Sequence, residues 1–194
     1  MSNIKILALA GSVRKSSYNG RLLAVAAAAA SQHGATVTRV DLADYPLPLF
    51  DEDLEKETGT PENVKRLQEL FLEHHALLIA SPEYNSSITP LLKNVIDWVS
   101  RPIPQQPPLA AYRGKFAALL SASPGALGGL RGLVHLRAIL GNIGVVVLPE
   151  QFALVKANEA FGDDGTLINP TQQQAVAAVV EKLVALLQRL NPTN

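Results

Sequence analysis

The chain has 194 residues, of which 47% are hydrophobic and 18% are charged, a composition typical of a globular protein. Basic and acidic residues balance at 17 each, which excludes a general electrostatic affinity for nucleic acid or for anionic membranes. Cysteine is absent, which excludes disulfides, thiolate zinc sites and a cysteine nucleophile. We expect a single domain over residues 1–194, since this length supports one good-sized core.

The N-terminal residues show no secretory signal pattern and enter a strand almost at once. The longest apolar run, at residues 22–30, is too short for a bilayer span, which needs roughly 20 apolar residues. We therefore expect a cytoplasmic protein.

Strand-like and helix-like segments alternate along the chain. A continuous apolar run at residues 4–10 predicts a strand buried on both faces of a parallel sheet. The Ala-rich residues 17–32 predict a helix, capped by Ser16 or Ser17 and ended by Gly34. The further predicted elements are a strand at 35–42, an extended loop around Pro46 and Pro48, a helix at 61–74, a strand at 76–81, a helix at 90–100, a Pro/Gln loop at 102–108, a strand at 115–121, a helix at 127–140, a strand at 145–148 and a helix from 169 to about 190.

Five strands alternating with helices predict an α/β doubly wound sheet. Ligands of such sheets bind beyond the carboxyl ends of the strands, at the point where the strand order reverses. The polar loops after strands one, three and four, at residues 11–19, 81–89 and 121–131, should therefore converge.

The first of these loops reads Ser12-Val-Arg-Lys-Ser-Ser-Tyr-Asn19 and leads into a helix N-terminus, whose unpaired N–H groups and positive dipole end suit a phosphate. The loop adds three hydroxyls, an amide and the cation Arg14. The glycine patterns of dinucleotide-binding and Walker loops are absent, which favours a flavin mononucleotide phosphate. The alternatives are simple N-capping by the serines and a surface ion pair of Arg14. Asp41, at the end of strand two, is interpreted as a loop residue and not as a ribose ligand.

The second loop reads Ser81-Pro-Glu-Tyr-Asn-Ser-Ser-Ile-Thr-Pro90, in which main-chain N–H groups and Tyr84 can meet a flat heterocycle. The alternative is a loop in which Pro82 merely ends a strand. The third loop contains Gly125, Gly128 and Gly129, which permit close approach of a ligand or unusual backbone angles. The alternative there is a flexible connection.

Three segments together resemble the NADPH-dependent FMN reductase family, which includes quinone, chromate and azo-dye reductases. They are Gly11-Ser-Val-Arg-Lys-Ser-Ser-Tyr-Asn19, Pro82-Glu-Tyr-Asn-Ser-Ser87 with Leu92-Lys-Asn-Val-Ile-Asp-Trp98, and Ser121-Ala-Ser-Pro-Gly-Ala-Leu-Gly-Gly-Leu-Arg131. The resemblance implies a flavodoxin-like three-layer sandwich with a five-stranded parallel sheet in the order 2-1-3-4-5. Thr89-Pro90 departs from the Pro-Gly that relatives often carry.

The same resemblance implies a role for each loop. The first would bind the FMN phosphate and ribityl chain, the second would line the isoalloxazine, and the third would border the ring's other edge and the pyridine-nucleotide entrance. No catalytic side chain and no metal are expected, because the flavin carries the chemistry. The expected cofactor-binding residues are Ser12, Arg14, Ser17, Tyr18, Asn19, Pro82, Glu83, Tyr84, Asn85, Ser121, Gly125, Gly128 and Gly129.

The implied activity is that of an FMN-dependent NAD(P)H oxidoreductase with a ping-pong cycle. NAD(P)H gives hydride to flavin N5, and a quinone, free flavin, azo compound, nitroaromatic or metal oxyanion is then reduced. The sequence does not identify the electron acceptor, and it does not show whether NADH or NADPH is the preferred reductant. Family members are usually dimers or tetramers, so a homodimer or homotetramer is expected. Residues 91–98 are expected either to form a dimer face or to pack in the core. Arg131 and Glu150 are expected either to make a subunit contact or to face solvent.

A flavodoxin-type FMN electron carrier is the alternative function. Such carriers are usually strongly acidic, which favours docking on protein partners, whereas this chain is neutral. A response-regulator domain is disfavoured, because Ala80-Ser81-Pro82 stands where its phosphoacceptor Asp would end strand three.

Overall fold

The computed structural model describes residues 4–190 as strands and helices in alternation. The strands are β1 (Lys5–Ala10), β2 (Thr36–Val40), β3 (Ala76–Ala80), β4 (Phe116–Ala122) and β5 (Val146–Leu154). The α-helices are α1 (Tyr18–Gln32), α2 (Glu52–Thr58), α3 (Glu62–Glu73), α4 (Pro90–Val99), α5 (Leu130–Asn142) and α6 (Pro170–Leu190), and a 3₁₀ turn spans Leu42–Asp44.

The sheet is parallel throughout, with strand order β2-β1-β3-β4-β5. One apolar cluster lies between the sheet and helices α1 and α6, and a second lies between the sheet and helices α3, α4 and α5. All five residues of the central strand β3 are buried, because both faces of the sheet are covered. The predicted flavodoxin-like fold and strand order are confirmed.

The boundaries of two elements differ from the prediction. Strand β5 was expected to end at residue 148 but runs to Leu154. Its pairing with β4 shifts between Ala117 and Leu119, opposite Pro149, which has no N–H to donate. Helix α5 begins at Leu130, three residues later than predicted, because Gly128 and Gly129 have positive φ angles of 61° and 91°. Helix α2 was not predicted.

Helix α4 buries its apolar face inside this chain. Leu92, Val95, Ile96 and Val99 belong to the second cluster, and Trp98 is fully buried. The Trp98 indole also donates to the carbonyl of Pro48 at 2.8 Å, which fixes the loop after the 3₁₀ turn. Of the two roles considered for residues 91–98, core packing accounts for these side chains.

None of the helices between residues 4 and 190 combines the length and apolar composition that a membrane span needs.

Candidate functional site

The loops after β1 and β3 are joined by hydrogen bonds at the carboxyl edge of the sheet. The Gly11 N–H donates to the Ala80 carbonyl at 2.9 Å, and the Thr89 hydroxyl donates to the Gly11 carbonyl at 2.7 Å. Thr89 also caps α4 by accepting the Leu92 N–H at 3.2 Å. A Cβ at Gly11 would lie 3.2 Å from Leu92 and 3.3 Å from Pro82, so a larger residue would push the loops apart.

Asn19 joins the first loop to the end of β4. Its amide nitrogen donates to the Ala122 carbonyl, and its amide oxygen accepts the Ala122 N–H, both at 2.9 Å. The side chain is buried. The amide that the sequence suggested as a cofactor ligand therefore has both ends on the main chain of Ala122, and it positions the start of α1 against the sheet. Tyr18, the first residue of α1, is half-buried against the core.

The first loop presents hydrogen-bond donors at the N-terminus of α1. The Ser12 hydroxyl oxygen accepts the Arg14 N–H, and the Ser17 hydroxyl oxygen caps α1 by accepting the Gly20 N–H, each at 3.3 Å. Within residues 4–190, neither hydroxyl donates its own hydrogen to a protein acceptor. The first turn of α1 holds no acidic residue, so its positive end is not neutralised locally. Ser17 caps the helix and Ser12 bonds within the loop, and both still offer their O–H groups to an anion.

A cavity of about 610 Å³, here named the basic cleft, lies between the first loop, α1 and the end of β2. Its charged lining comprises four cations and one acid, Arg14, Lys15, Arg21, Arg39 and Asp41. Ser12 and Ser17 also line it, whereas the other predicted site residues do not. The sequence analysis did not name Lys15, Arg21 or Arg39, because only the fold brings these three cations to one cavity.

The second loop contains a tight turn with unusual backbone angles. Tyr84 and Ser87 exchange main-chain hydrogen bonds at 2.9 and 3.0 Å. Between them, Asn85 and Ser86 both have positive φ angles, 49° and 67°, as a type I′ turn requires. A non-glycine pair in this conformation is strained, and such strain is common at ligand-binding sites. The Tyr84 side chain is exposed.

Glu83 ties the second loop to the N-terminus of α5. One carboxylate oxygen accepts from the Arg131 guanidinium at 2.5 and 2.8 Å, and the other accepts the Gly132 N–H at 3.2 Å. A carboxylate at a helix N-terminus is favoured by the helix dipole. Arg131, whose role the sequence left open, therefore pairs within its own chain.

The glycines of the third loop differ in what the fold demands of them. A Cβ at Gly128 would lie 2.8 Å from the main chain of Ala153, and one at Gly129 would lie 2.9 Å from Ser121. Both are therefore required by packing inside the protein. At Gly125 a Cβ would make only an ordinary contact, at 3.6 Å.

Ser121 is fully buried behind Gly129. Its hydroxyl oxygen has no hydrogen-bond partner among the described residues.

The second and third loops face each other across a cavity of about 530 Å³, here named the glycine-loop cleft. The lining residues are Glu83, Asn85, Ser86, Ser123, Gly125, Ala126, Leu127, Gly128, Gly129 and Arg131. Five predicted residues, Tyr18, Asn19, Pro82, Tyr84 and Ser121, line neither cleft. The first loop therefore lines the basic cleft, and the second and third loops line the glycine-loop cleft. All three loops follow the carboxyl ends of β1, β3 and β4.

Comparison with known proteins gives a consistent result. The model of the NADPH-dependent FMN reductase family matches residues 4–159. The chain is 35% identical to an NAD(P)H-dependent FMN reductase of Pseudomonas aeruginosa, over 97% of each chain. It is 38% identical to an NAD(P)H:quinone oxidoreductase of Solanum tuberosum, over 96% of this chain and 94% of that one.

A solved structure is also similar throughout. The flavoenzyme NAD(P)H:(acceptor) oxidoreductase FerB of Paracoccus denitrificans superposes with a TM-score of 0.81 at 29% identity, over 96% of this chain and 98% of that one. The sequence relatives and the solved structure match almost the whole chain, and the family model matches most of it. The chain therefore belongs to the NADPH-dependent FMN reductase family.

Proposed function

We propose that this protein is an FMN-dependent NAD(P)H oxidoreductase that reduces small-molecule acceptors, with quinones as the first class to examine. The relatives described above are named for the reduction of FMN or of quinones, which supports the proposal. The observation that carries it is the set of donors left free at the start of α1. They are the helix N-terminus, the Ser12 and Ser17 hydroxyl hydrogens and Arg14, which makes no ion pair within residues 4–190.

These groups fit the FMN phosphate. A phosphate is favoured at a helix N-terminus by main-chain N–H groups and by the dipole. Arg14 adds a fixed positive charge, and it makes no ion pair among the described residues. We assign phosphate binding to Ser12, Arg14 and Ser17, with Asn19 holding their loop in place through Ala122.

The loops around the glycine-loop cleft fit the flat ring system. The strained turn at Asn85 and Ser86 and the Gly125 segment form opposite walls. When bound there, FMN would supply the redox chemistry, by accepting hydride from a nicotinamide and passing it to the acceptor. The chain's own part is to bind and orient the reactants: Glu83 fixes one wall against α5, and Gly128 packs the other against β5.

The direct test mixes the FMN-loaded protein with NADPH or NADH and a quinone. We expect nicotinamide oxidation, followed by absorbance, only when flavin, protein and acceptor are all present. A protein that binds FMN but leaves nicotinamide at the uncatalysed rate with quinones, free flavin, azo compounds, nitroaromatics and chromate would instead be an electron carrier. A protein that does not bind FMN would contradict both functions.

The phosphate assignment has its own test in Arg14→Ala. The variant should weaken FMN binding by about tenfold or more while leaving riboflavin binding nearly constant, because only FMN carries the phosphate. Lys65→Ala, which removes an exposed cation on α3, is the matched control. Equal losses for both flavins would remove Arg14 from the phosphate site.

We also propose a homodimer or homotetramer, built on the exposed apolar face of α5. Leu130 and Val134 lie one turn apart and are 39% and 58% exposed, beside Leu127 at 48%. Val134→Glu should shift the mass in solution towards the monomer, as measured by light scattering. Ile168→Glu, at a position 64% exposed outside α5, is the control. An unchanged mass in the Val134 variant would exclude this face.

We propose a cytoplasmic location, since that compartment supplies NADPH and NADH together with small-molecule oxidants. Cell fractionation tests it: the protein should appear with cytoplasmic markers. Recovery with the membrane or an exported fraction would contradict it.

A further inference from the structure

We propose that His135 is a positioning residue, which acts through Ser87 to fix the turn at Asn85 and Ser86 in the shape that receives the flat ring of the flavin. The inference rests on the proposed oxidoreductase function and gives a role to a histidine that the proposed site does not use. His135 lies on α5 and does not line the glycine-loop cleft, whereas Asn85 and Ser86 do.

The turn has a shape that its own residues disfavour. Asn85 and Ser86 have φ angles of 49° and 67°, in a region that glycine adopts more easily than other residues. Two main-chain hydrogen bonds between Tyr84 and Ser87 close the turn, at 2.9 and 3.0 Å. A strained conformation of this kind persists where the surrounding structure fixes it. The contacts on either side of the turn therefore decide how firmly it is held.

Helix α5 supplies a contact on each side of the turn. Before the turn, the Glu83 carboxylate accepts from the Arg131 guanidinium and from the Gly132 N–H. After the turn, the Ser87 hydroxyl and the Nδ1 atom of His135 share a hydrogen bond at 2.9 Å, whose donor depends on the imidazole tautomer. Within residues 4–190, this is the only hydrogen bond that the Ser87 side chain makes.

The spacing along α5 allows both contacts to form. Arg131 and His135 are four residues apart, so their side chains lie on one face of the helix. A Cβ at Gly132, between them, would lie 3.2 Å from the Ser87 carbonyl oxygen and 3.4 Å from the Glu83 Cβ. The absence of a side chain at Gly132 therefore lets α5 lie close to the loop, and one helix face holds both ends of the turn.

Loss of the His135 bond would release one end of the turn only. The Glu83 end would stay tied to α5, whereas Ser87 would keep only its main-chain bonds to Tyr84. A flavin would then have to restore the shape of the turn when it binds, which lowers its affinity. The ring would also be oriented less precisely towards a nicotinamide, which lowers the rate of hydride transfer. Because FMN and riboflavin share the ring, both should be affected alike.

Hydrogen exchange in the flavin-free protein tests the hold on the turn directly. In His135→Ala the main-chain N–H groups of residues 84 and 87 should lose about fivefold in protection from exchange, the worth of one neutral hydrogen bond. Ser87→Ala should have the same effect, and the double variant should lose no more than either single variant. His33→Ala is the matched control, because His33 is exposed at the end of α1 and its ring makes no hydrogen bond within residues 4–190.

Flavin binding and turnover test the consequence for the reaction. His135→Ala should weaken FMN and riboflavin equally, by about fivefold, and should lower kcat at saturating FMN by a similar factor. His135→Asn should restore both quantities, since its amide can take the place of the Nδ1 atom beside Ser87. An asparagine cannot transfer a proton, so this rescue separates positioning from acid catalysis.

Unchanged protection at residues 84 and 87 in His135→Ala would overturn the inference, as would losses that add up in the double variant. A loss of kcat that His135→Asn did not restore would also overturn it, because the imidazole would then act as a proton donor. The proposed function fails differently, through a wild-type protein that does not bind FMN or does not oxidise nicotinamide. The exchange measurement requires neither and tests the hold on the turn in either case.

Discussion

Asn19→Ala should destabilise the protein even in the absence of any ligand. In the folded chain the Asn19 amide satisfies both the N–H and the carbonyl of Ala122, each at 2.9 Å. Both residues are buried, at 3% and 4% exposure, so water cannot easily replace the lost partners. The substitution therefore leaves two main-chain groups at the end of β4 without hydrogen bonds.

The size of the effect follows from those two groups. An unsatisfied buried donor or acceptor costs about 1–3 kcal/mol, so the variant should lose about 2–6 kcal/mol in the free energy of unfolding. That is a large share of the roughly 5–15 kcal/mol that stabilises a typical domain. With a urea m-value of about 2 kcal/mol/M, the unfolding midpoint should fall by about 1–3 M.

Urea denaturation of the flavin-free protein, followed by circular dichroism, measures this shift. Asn158→Ala is the matched control, because Asn158 is exposed and, within residues 4–190, its amide bonds only the neighbouring Glu159 carboxylate; its effect should stay within about 0.5 kcal/mol. If Asn19→Ala matched that control and weakened only FMN binding, Asn19 would be a ligand and the reasoning from its geometry would be refuted.

Three further predictions concern the loops and the far edge of the sheet. Gly128→Ala should destabilise by more than about 2 kcal/mol, because its Cβ would lie 2.8 Å from the main chain of Ala153, whereas Gly125→Ala should be nearly neutral; similar unfolding midpoints would contradict this. Ser121→Ala should leave the flavin-free protein equally stable or stabilise it by about 1 kcal/mol, since it removes a buried hydroxyl without a partner among the described residues, and a clear loss of stability would reveal a missing bond. Burial lowers the pKa of Lys115 from 10.5 to about 8, so between these values the unfolded chain holds a proton that the folded protein has released. Lys115 should therefore make the free energy of unfolding rise with pH across that window, and Lys115→Met should remove this contribution from the slope; equal slopes in both proteins would contradict the lowered pKa of Lys115.

The fold could be predicted because its signals are local and repeated. The apolar run before Gly11 and the caps at Ser17 and Gly34 set the first strand and helix, and the structure has them within a residue or two. Strand β5 was cut short in the prediction because Pro149 resembles a terminator. The sheet accommodates it with a shift in register, which depends on β4 and cannot be read from the β5 sequence alone.

The site was predicted less completely, for a different reason. Sequence motifs indicate which polar residues gather at the sheet edge, but they do not show which of them bond within the protein. Asn19 and Glu83 carry the chemistry of ligands, yet both serve to join loops. Arg39 lies in a strand outside the motifs, and only the fold brings it beside Lys15.

The hydrogen bonds of each side chain in these loops predict whether its substitution affects stability or ligand binding. Residues whose hydrogen bonds are used within the protein, such as Asn19, Thr89 and Glu83, should act on stability and on every ligand alike. Arg14, which is exposed and makes no ion pair within residues 4–190, should act on FMN binding and leave stability almost unchanged, because exposed cations without ion pairs contribute little to folding. A substitution that lowered stability should therefore weaken FMN and riboflavin binding together, whereas one that preserved stability should discriminate between the two flavins. Arg14 and Asn19 lie in the same loop, so what separates their roles is whether the side chain is already hydrogen-bonded within the protein, and not its position in the sequence.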